Sequence, residues 1–440
     1  MSSLYCFTDI SELTKAPKGA LPVQLYDLEV KHQLDNVAWI GSAIRSGVAG
    51  LGVRTGIVPF DFLTIALAVC AADTFVERDL SGDGWTRVIN LSIPLASPAI
   101  WKPVKGKLEQ TLSFLSGDQW SLSFRSGGDK PPEPLVSRKG RNLSDLVGLD
   151  SVCLFSGGLD STAGAIDLLA SGKKPLLVSH GYTGDRKYQK QVFKLLRHHY
   201  PRSDHFSLNA DPHRKPKSTE VTMRTRSLTF LAFSVIALDA LNRANNSKLS
   251  EIVVPENGFI SLNVPLTLRR IGSLSTRTTH PFFLSQMEEI LAKVGFDVQF
   301  KNPFGFHTKG ELLIKSRAPS ILKKCITNTV SCSHWKRKHK QCGICVPCIV
   351  RRAAIHNSDF KEPGTNYLYP RLKSVAEDPK KRDDIRALSA AIARSKDKNR
   401  LPIWLNHSGP IPPQTRERYL NVFRRGLGEI EKFLKNEGWK

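Results

Sequence analysis

The sequence predicts an α/β protein in which a doubly wound parallel sheet is joined to an N-terminal α+β unit and a helical C-terminal tail. Short apolar runs alternate with segments of helical periodicity between residues 146 and 356, the pattern of a parallel sheet with crossover helices. A glycine turn separates the first apolar run from the first helix. After residue 357 the periodicity is helical and basic.

Composition limits the class of protein. The chain has 440 residues, which is room for two or three domains, and 40% of them are hydrophobic. It carries 64 Lys and Arg against 40 Asp and Glu, a net charge of +24 that favours an anionic partner such as ATP, a nucleic acid or an acidic protein. Neither a run of about 18 apolar residues nor a signal peptide is visible, so we expect a cytoplasmic protein without a membrane span.

Four segments are expected along the chain. They are an N-terminal α+β domain over residues 1–127, a linker over 128–145, the doubly wound domain over 146–356, and a helical basic region over 357–440. The linker is predicted by its glycine- and proline-rich start. In the last region, residues 383–394 and 414–434 have the apolar spacing of helices. These helices either pack against the core or bind a partner or RNA.

In the first unit, helices are predicted over residues 59–73 and 104–115. Alternating apolar and polar residues predict half-buried strands over 87–93 and 120–125. These elements indicate an α+β module without a catalytic constellation. A docking surface and a scaffold that covers a cleft remain open as its role.

The second unit alternates strands and helices. Strands are predicted over 152–155, 175–180 and 251–254, and helices from 163, over 192–199 and over 228–241. Ligands of such sheets bind beyond the carboxyl ends of the strands. The glycine turn, Gly181-Tyr182 and the segment Pro255-Glu256-Asn257-Gly258 are therefore expected around one crevice.

The glycine turn has the sequence Ser156-Gly157-Gly158-Leu159-Asp160-Ser161-Thr162. Two glycines let an anion approach the main chain, and the N–H groups of a helix N-terminus point at it. The serine and threonine hydroxyls add donors, whereas the lysine of a Walker A motif is missing. The turn therefore predicts a polyphosphate site, and a plain turn between strand and helix is the alternative.

Four of the eight cysteines are clustered in sequence. They are Cys332, Cys342, Cys345 and Cys348. Four thiolates are the set that structural zinc takes, and in a cytoplasmic chain a metal is favoured over disulfides. An iron–sulfur cluster and a redox relay are the alternatives, and His334 or His339 could replace one cysteine. The basic run over 336–340 either offsets the thiolate charge or contacts nucleic acid.

These motifs resemble a known family. The turn matches the S-G-G-x-D-S signature of the PP-loop ATP pyrophosphatases, and its combination with C-G-x-C-x-x-C and Arg351 is similar to 7-cyano-7-deazaguanine synthase, QueC. Arg226 to Leu231 resembles the R-N-x-x-F-L helix of that family, with Ser227 in place of the asparagine. The resemblance covers residues 150–356 and implies a PP-loop, HUP-like fold with a structural zinc site.

The resemblance implies ATP, Mg²⁺ and Zn²⁺ as cofactors. Implied catalytic residues are Asp160, Ser161 and Arg226, and implied nucleotide-binding residues are Ser156, Gly157, Gly158, Leu159, Asp160, Ser161, Thr162, His180, Gly181 and Tyr182. Asp160 suits Mg²⁺ or an ordered water, with a helix cap as its alternative role. Expected substrate-binding residues are Glu256, Asn257, Gly258, Arg277 and His280. For the last two, a plain surface loop is the alternative.

The chain also departs from that family. A long segment precedes the turn, and the D-Y-S-G-Y-P-D-C-R-P substrate segment is missing, with Pro255-Glu256-Asn257-Gly258 in its region. These features look more like the QueC-like proteins of Qat-type bacterial anti-phage operons. Those proteins are encoded beside an ATPase, a small partner protein and a TatD-like nuclease.

The resemblance implies an enzyme that activates a 7-carboxy-7-deazaguanine-like carboxylate with ATP, forms AMP and pyrophosphate, and makes an amide or nitrile. In a defence setting, the acceptor is expected to be ammonia or an amine of a partner protein. Two alternatives stay open. One is a PP-loop enzyme that modifies RNA, such as a tRNA thiolase, which the positive charge favours. The other is an ATP-binding scaffold of a defence complex.

Overall fold

A computed structural model describes residues 2–26, 36–135, 144–182, 184–218, 220, 222–267, 277–335, 339–397 and 399–439. Its strands form two parallel sheets of five strands each. The first sheet contains β1 (Ser2–Phe7), β2 (Leu21–Leu25), β3 (Ala38–Ile40), β4 (Val88–Pro94) and β5 (Gln119–Arg125). The second contains β6 (Ser151–Leu154), β7 (Pro175–His180), β8 (Asp204–Leu208), β9 (Glu251–Val253) and β10 (Gln299–Lys301).

Fifteen α-helices are described. The first unit has α1 (Ile44–Ala49), α2 (Ile57–Phe75), α3 (Pro98–Trp101) and α4 (Lys105–Ser116). The second has α5 (Leu159–Ala170), α6 (Arg186–His199), α7 (Arg226–Asn245), α8 (Gly258–Leu262), α9 (Pro281–Lys293), α10 (Lys309–Ile314), α11 (Pro319–Cys325) and α12 (Val346–His356). The tail has α13 (Asp383–Ser395), α14 (Arg400–Leu405) and α15 (Pro413–Asn436). Short 3₁₀ turns occur at Ile10–Lys15, Arg78–Leu80, Lys102–Val104, Ile326–Asn328, Leu372–Val375 and Asn406–Ser408.

Both sheets have the same strand order. The first runs β3-β2-β1-β4-β5 and the second β10-β9-β6-β7-β8. When the strands of each sheet are counted in chain order, both arrangements are 3-2-1-4-5, the order of doubly wound α/β folds. In such a sheet a crevice opens where the order reverses, beyond the carboxyl ends of the first and fourth strands. In the second sheet that point lies between β6 and β9, which pair in parallel.

The first unit is a parallel α/β layer, so the α+β module predicted for it is wrong. All four strand pairs of its sheet are parallel. The two strands visible in the sequence, β4 and β5, are parallel neighbours because helix α4 crosses between them. Strand β3 is buried on both faces, as parallel strands commonly are, and therefore lacks the alternation that would reveal it.

Helices α2 and α7 pack against each other between the two sheets, where one hydrophobic core includes residues of both units. Val152 and Leu154 of β6 face this layer, whereas Cys153 faces the helices on the opposite side of the sheet. Leu4 and Cys6 of β1 belong to the same shared core. The alternation of each strand thus divides its side chains between an inner and an outer layer.

Length and composition alone would let α2 and α7 cross a membrane. In this structure, 83% of the apolar window of α2 and 72% of that of α7 are buried inside the protein. Their position between two sheets accounts for their apolar sequence, because a helix that is covered on all sides needs no polar face.

The C-terminal region packs onto the second unit. A separate core joins Cys348 and Ile349 of α12 with Val422, Phe423 and Leu427 of α15. The helices predicted over residues 383–394 and 414–434 are confirmed as α13 and α15. Their apolar faces are occupied by this core.

Candidate functional site

A cavity of about 340 Å³ lies beyond the carboxyl ends of β6 and β9. Its walls come from the glycine turn, the starts of α6 and α7, the residues after β9, Thr278 and Thr279, and the segment that leads into the cysteine cluster. This is the point where the strand order of the second sheet reverses. The cavity therefore occupies the position where doubly wound sheets bind their ligands.

The glycine turn is held from two sides. Gly157 has a φ of +78°, and a Cβ at this position would lie 2.9 Å from Cγ of Gln189, so no other residue fits without strain. Gln189 of α6 donates from Nε2 to the Ser156 carbonyl at 3.1 Å. The backbone N–H of Val330 donates to the Gly157 carbonyl at 3.1 Å. The turn is thus fixed by α6 and by the segment before the cysteine cluster.

Two hydroxyls of the turn face the cavity. The Oγ atoms of Ser156 and Ser161 are 3.0 Å apart, and both residues line the cavity. Ser161 Oγ also donates to the Gly158 carbonyl at 3.1 Å. Thr162 and Leu159 are buried and are not among the described lining residues. The serines, rather than the threonine, are therefore placed to contact a phosphate.

Arg226, the first residue of α7, lies in the cavity wall. Its guanidinium donates to the His180 carbonyl at 3.3 Å, pairs with Asp185 at 3.1 Å and lies 4.6 Å from the centre of the Tyr182 ring. About a third of the side chain is exposed, at 33%. A cation held in this way suits an oxyanion, because its orientation is set before the ligand arrives.

The resemblance assigns three further residues to the nucleotide site: His180, Gly181 and Tyr182. They lie next to Arg226. The His180 ring packs 4.8 Å from the Tyr182 ring and 5.2 Å from the Phe233 ring. Burial raises the pKa of Tyr182 well above its usual range. At Gly181 a Cβ would lie 2.7 Å from Oε1 of Gln189. These residues support Arg226 and are not among the described residues that line the cavity.

Asp160 lies in a buried polar cluster beside the cavity. Its Oδ1 pairs with the ammonium of Lys309, which is 6% exposed. Its Oδ2 accepts hydrogen bonds from the backbone N–H and the side-chain Nδ2 of Asn257, at 3.1 and 2.6 Å. The same Nδ2 donates to Oε1 of Glu256 at 3.2 Å. Of these four residues, Glu256 lines the cavity.

The pKa values of the two carboxyl groups in the cluster are shifted in opposite directions. Burial alone would raise the pKa of Asp160, but the charge of Lys309 and several hydrogen bonds hold it well below its usual range. Burial and the negative charge of Asp160 raise the pKa of Glu256 well above its usual range. Glu256 is hydrogen-bonded to Asp160 and Asn257 within the cluster, and it is the member of the cluster that lines the cavity.

The cavity does not fit a Mg²⁺ ion held by Asp160, the role suggested by the resemblance. Both oxygens of Asp160 are taken by Lys309 and Asn257. Asp185 is paired with Arg226, and Glu256 accepts a hydrogen bond from Asn257. Mg²⁺ requires ionised or strongly polar oxygen ligands. The carboxyl groups among the described lining residues are those of Asp185 and Glu256, and both already have partners in the protein.

The C-terminal helix supports Lys309, a connection that the sequence did not suggest. Glu429 of α15 accepts a hydrogen bond from Thr308 Oγ1 and another, at 3.2 Å, from the Gly310 N–H. These groups form the start of α10, where Thr308 and Glu311 make a capping box. The T-x-x-E pattern of that box is visible in the sequence and could have indicated the helix start. It could not indicate Asp160 or Glu429 as partners.

Two of the expected substrate residues close the turn after β9. Asn257 caps α8, because its Oδ1 accepts from the Ile260 N–H at 3.1 Å. At Gly258 a Cβ would overlap the Gly305 carbonyl oxygen. Both residues are buried, so Glu256 is the member of this segment that a ligand in the cavity can reach.

Arg277 and His280 lie at the contact between the two units. Arg277 donates to the Phe114 carbonyl at 2.8 Å, and its guanidinium is 4.3 Å from the Phe114 ring centre. The His280 ring meets the Phe114 ring edge-to-face at 5.3 Å. His280 Nδ1 accepts from the Phe282 N–H at 3.2 Å, which caps α9. The two residues dock helix α4 and are not among the described lining residues.

The burial of His280 predicts a pH dependence of stability. Burial, together with the charge of Arg277, lowers the pKa of His280 from 6.5 to about 3. The unfolded chain then binds a proton that the folded chain does not, so stability is lost as pH falls below about 6.5. We expect the free energy of unfolding to fall by about 2 kcal/mol between pH 7 and pH 5 from this residue.

The matched variant is His280→Asn, which keeps a capping oxygen and does not titrate. Urea titrations at pH 7 and pH 5 measure the free energy of unfolding. Its decrease between the two pH values should be smaller by about 2 kcal/mol in the variant than in the wild type. An equal pH dependence in the two proteins would contradict the buried, neutral state of His280.

The four clustered cysteines could hold a metal such as zinc. The sulfurs of Cys332, Cys342, Cys345 and Cys348 all lie within 4.8 Å of one another. Two pairs are 3.9 Å apart, and a tetrahedral zinc site with Zn–S bonds of 2.3 Å has sulfurs about 3.8 Å apart. The N–H groups of Cys342 and Cys345 donate to neighbouring sulfurs at 3.3 Å. Among the described residues this group consists of the cysteines without His334 or His339.

The cluster is continuous with the cavity wall. Arg351 of α12 is fully buried and donates to the Ile326 carbonyl and to Thr329 Oγ1, both at 2.7 Å. Cys332 and Trp335 line the cavity, and the indole Nε1 of Trp335 is buried without a hydrogen-bond partner among the described residues. Residues 336–338 of the basic run lie outside the described residues. A metal at the cluster would thus fix one side of the cavity.

No protein-family model matches this chain, and no curated protein matches it.

Proposed function

We propose that this chain is an ATP-dependent enzyme of the QueC-like PP-loop family that activates a carboxylate and releases pyrophosphate. One observation carries the proposal: an S-G-G-x-D-S turn borders a cavity at the point where the strand order reverses. Arg226 in the same wall and the cysteine cluster beside it support it. The expected substrate is a 7-carboxy-7-deazaguanine-like acid, and the long N-terminal unit motivates a role in anti-phage defence.

The chemistry solves a leaving-group problem. A carboxylate is a poor electrophile because its leaving group would be oxide. Attack of a carboxylate oxygen on the α-phosphorus of ATP forms an acyl-adenylate and breaks the bond to pyrophosphate. An amine then attacks the acyl carbon, loses a proton and displaces AMP, which gives an amide. When the amine is ammonia, the oxygen of the primary amide attacks a second ATP and releases pyrophosphate, and loss of AMP and of the two nitrogen-bound protons then gives a nitrile.

The residues of the cavity suit these steps. The Ser156 and Ser161 hydroxyls and the N–H groups of the turn bind the pyrophosphate, and Arg226 stabilises the charge that develops on it. Glu256 lines the cavity and offers a carboxyl oxygen to the donor edge of a guanine-like base. Asp160 and Lys309 position this wall without contacting the substrate.

The test is a pyrophosphate-release assay over a panel of carboxylated deazapurines, in which AMP is distinguished from ADP. We expect pyrophosphate and AMP with 7-carboxy-7-deazaguanine. Arg226→Ala should lower kcat/KM by about 10²–10³-fold, the usual effect of removing one group that stabilises transition-state charge. Arg243→Ala, on the same helix but paired with Asp239, is the matched control and should retain activity.

Two outcomes would contradict the proposal. Release of ADP would indicate phosphoryl transfer rather than adenylation. Binding of ATP without turnover for every carboxylate would favour the scaffold alternative.

A further inference from the structure

Helix α6 carries an unusual set of charges. Its sequence RKYQKQVFKLLRHH contains five lysine and arginine residues and no acidic residue. All five side chains are exposed: Arg186, Lys187, Lys190, Lys194 and Arg197. In the part of the chain that the structure describes, none of them forms an ion pair. The helix therefore presents uncompensated positive charge to solvent.

The spacing places four of these residues on one stripe. Lys187, Lys190, Lys194 and Arg197 follow one another at intervals of three and four residues, so they share one face of the helix. The stripe is about 15 Å long at the rise of an α-helix. This length matches about four phosphates along one strand of a nucleic-acid duplex.

A groove continues the stripe. Its volume is about 750 Å³, and Lys190 and Arg197 form part of its wall. The charged residues that line it are Lys174, Lys190, Arg197, Arg202, Asp145 and Asp204. Because cations outnumber carboxylates, the groove is also positive.

The opposite face of α6 packs against the cavity wall and the core. Tyr188 lines the cavity, and Gln189 holds the glycine turn through the Ser156 carbonyl. Val192 and Leu196 are buried in the core. A ligand on the basic stripe would therefore lie about 10 Å, one helix diameter, from the turn.

We propose that the stripe and the groove bind the sugar–phosphate backbone of a nucleic acid. Lysine and arginine contacts to phosphates supply most of the affinity of such complexes. The centres of protein–protein interfaces are instead apolar and depleted in lysine. Every exposed residue of α6 is polar, which favours a nucleic acid over an acidic protein. This inference goes beyond the proposed function and does not depend on it.

The bound strand would lie beside the cavity. One helix would contact the nucleic acid on its outer face and the glycine turn on its inner face. The nucleic acid would thus lie one helix diameter from the glycine turn.

The test uses a variant in which the stripe is neutralised, K187Q/K190Q/K194Q/R197Q. The control, K373Q/K380Q/R386Q/K432Q, removes the same charge from exposed positions of the C-terminal region. Binding of a fluorescein-labelled 20-nucleotide RNA and a 20-base-pair DNA is measured by anisotropy between about 50 and 300 mM KCl, a range over which phosphate contacts lose affinity steeply. Thermal unfolding of both variants verifies that they fold.

We expect the stripe variant to bind the RNA at least tenfold more weakly at 100 mM salt. The negative slope of log K against log salt should become shallower by about 3. Each phosphate contact to a single strand contributes about 0.7 to the steepness of this slope, and the variant removes four cationic residues. The control should stay within twofold of the wild type. Equal weakening of both variants would overturn the proposal, as would competition by polyglutamate that is as strong as competition by unlabelled RNA.

Discussion

Loss of metal from the four-cysteine cluster is expected to unfold the cysteine-bearing wall of the cavity. Strong chelation would leave four thiolates facing one another in a buried site, and Cys345→Ser would leave three. Structural zinc contributes apparent binding free energies of about 10–16 kcal/mol in small peptides. That is as large as the whole stability of a typical domain, about 5–15 kcal/mol. The core shared by α12 and α15 should therefore loosen together with the segment that holds Gly157.

Metal analysis of the purified protein should give one zinc ion per chain, and none in Cys345→Ser. Limited proteolysis of that variant should cut the region around residues 326–350, and the pyrophosphate-release activity should be lost. Cys325→Ala is the control, because Cys325 is buried outside the cluster and should change the stability without changing the metal content. A metal-free wild type with the same resistance to proteolysis would contradict a structural metal.

Replacement of Lys309 by methionine is expected to destabilise the fold by about 3–5 kcal/mol, the usual loss when one partner of a buried ion pair is removed. Asp160 would keep its hydrogen bonds to Asn257 but lose the charge that lowers its pKa. In the wild type, the stability from Asp160 is present above the ordinary pKa of 3.8 and is lost as pH falls below it. Chemical denaturation at pH 7 measures the difference.

Two further variants distinguish the loss of the ion pair from the loss of a lysine as such. Lys315→Met, at the end of the same helix, removes an exposed lysine and should change stability by less than about 0.5 kcal/mol. The double variant Asp160→Asn/Lys309→Met removes both charges of this buried pair and should recover part of the loss. A loss below about 1 kcal/mol in Lys309→Met would show that Asp160 does not depend on this partner.

The sequence predicts those parts of the fold that depend on residues close to one another in the chain. Helices α2 and α7 and strand β7 are strongly apolar segments bounded by turn residues, so their type is evident from the sequence. The cysteine cluster was also visible, because its ligands lie within one short segment. Strand β3 was missed because a short strand that is buried on both faces shows neither alternation nor helical periodicity.

Contacts between distant residues could not be predicted in this way. Lys309 meets Asp160 across 149 residues, and no local pattern records that pairing. Arg277 and His280 have the polar character of a binding loop, but the structure uses them against Phe114 of the first unit. His180 is the last residue of strand β7, at the carboxyl edge of the sheet, yet its ring packs against Phe233. A residue type and a position at a sheet edge thus locate a site more reliably than they identify the side chains that line it.

The position of α2 between the two sheets has a consequence for synthesis of the chain on the ribosome. Helix α2 ends at Phe75, whereas its packing partner α7 begins only at Arg226. At translation rates of about 5–20 residues per second, the nascent chain carries this apolar helix for on the order of ten seconds before its partner emerges. The first unit therefore cannot complete its core during its own translation, and it is a natural client for a chaperone that shields apolar segments.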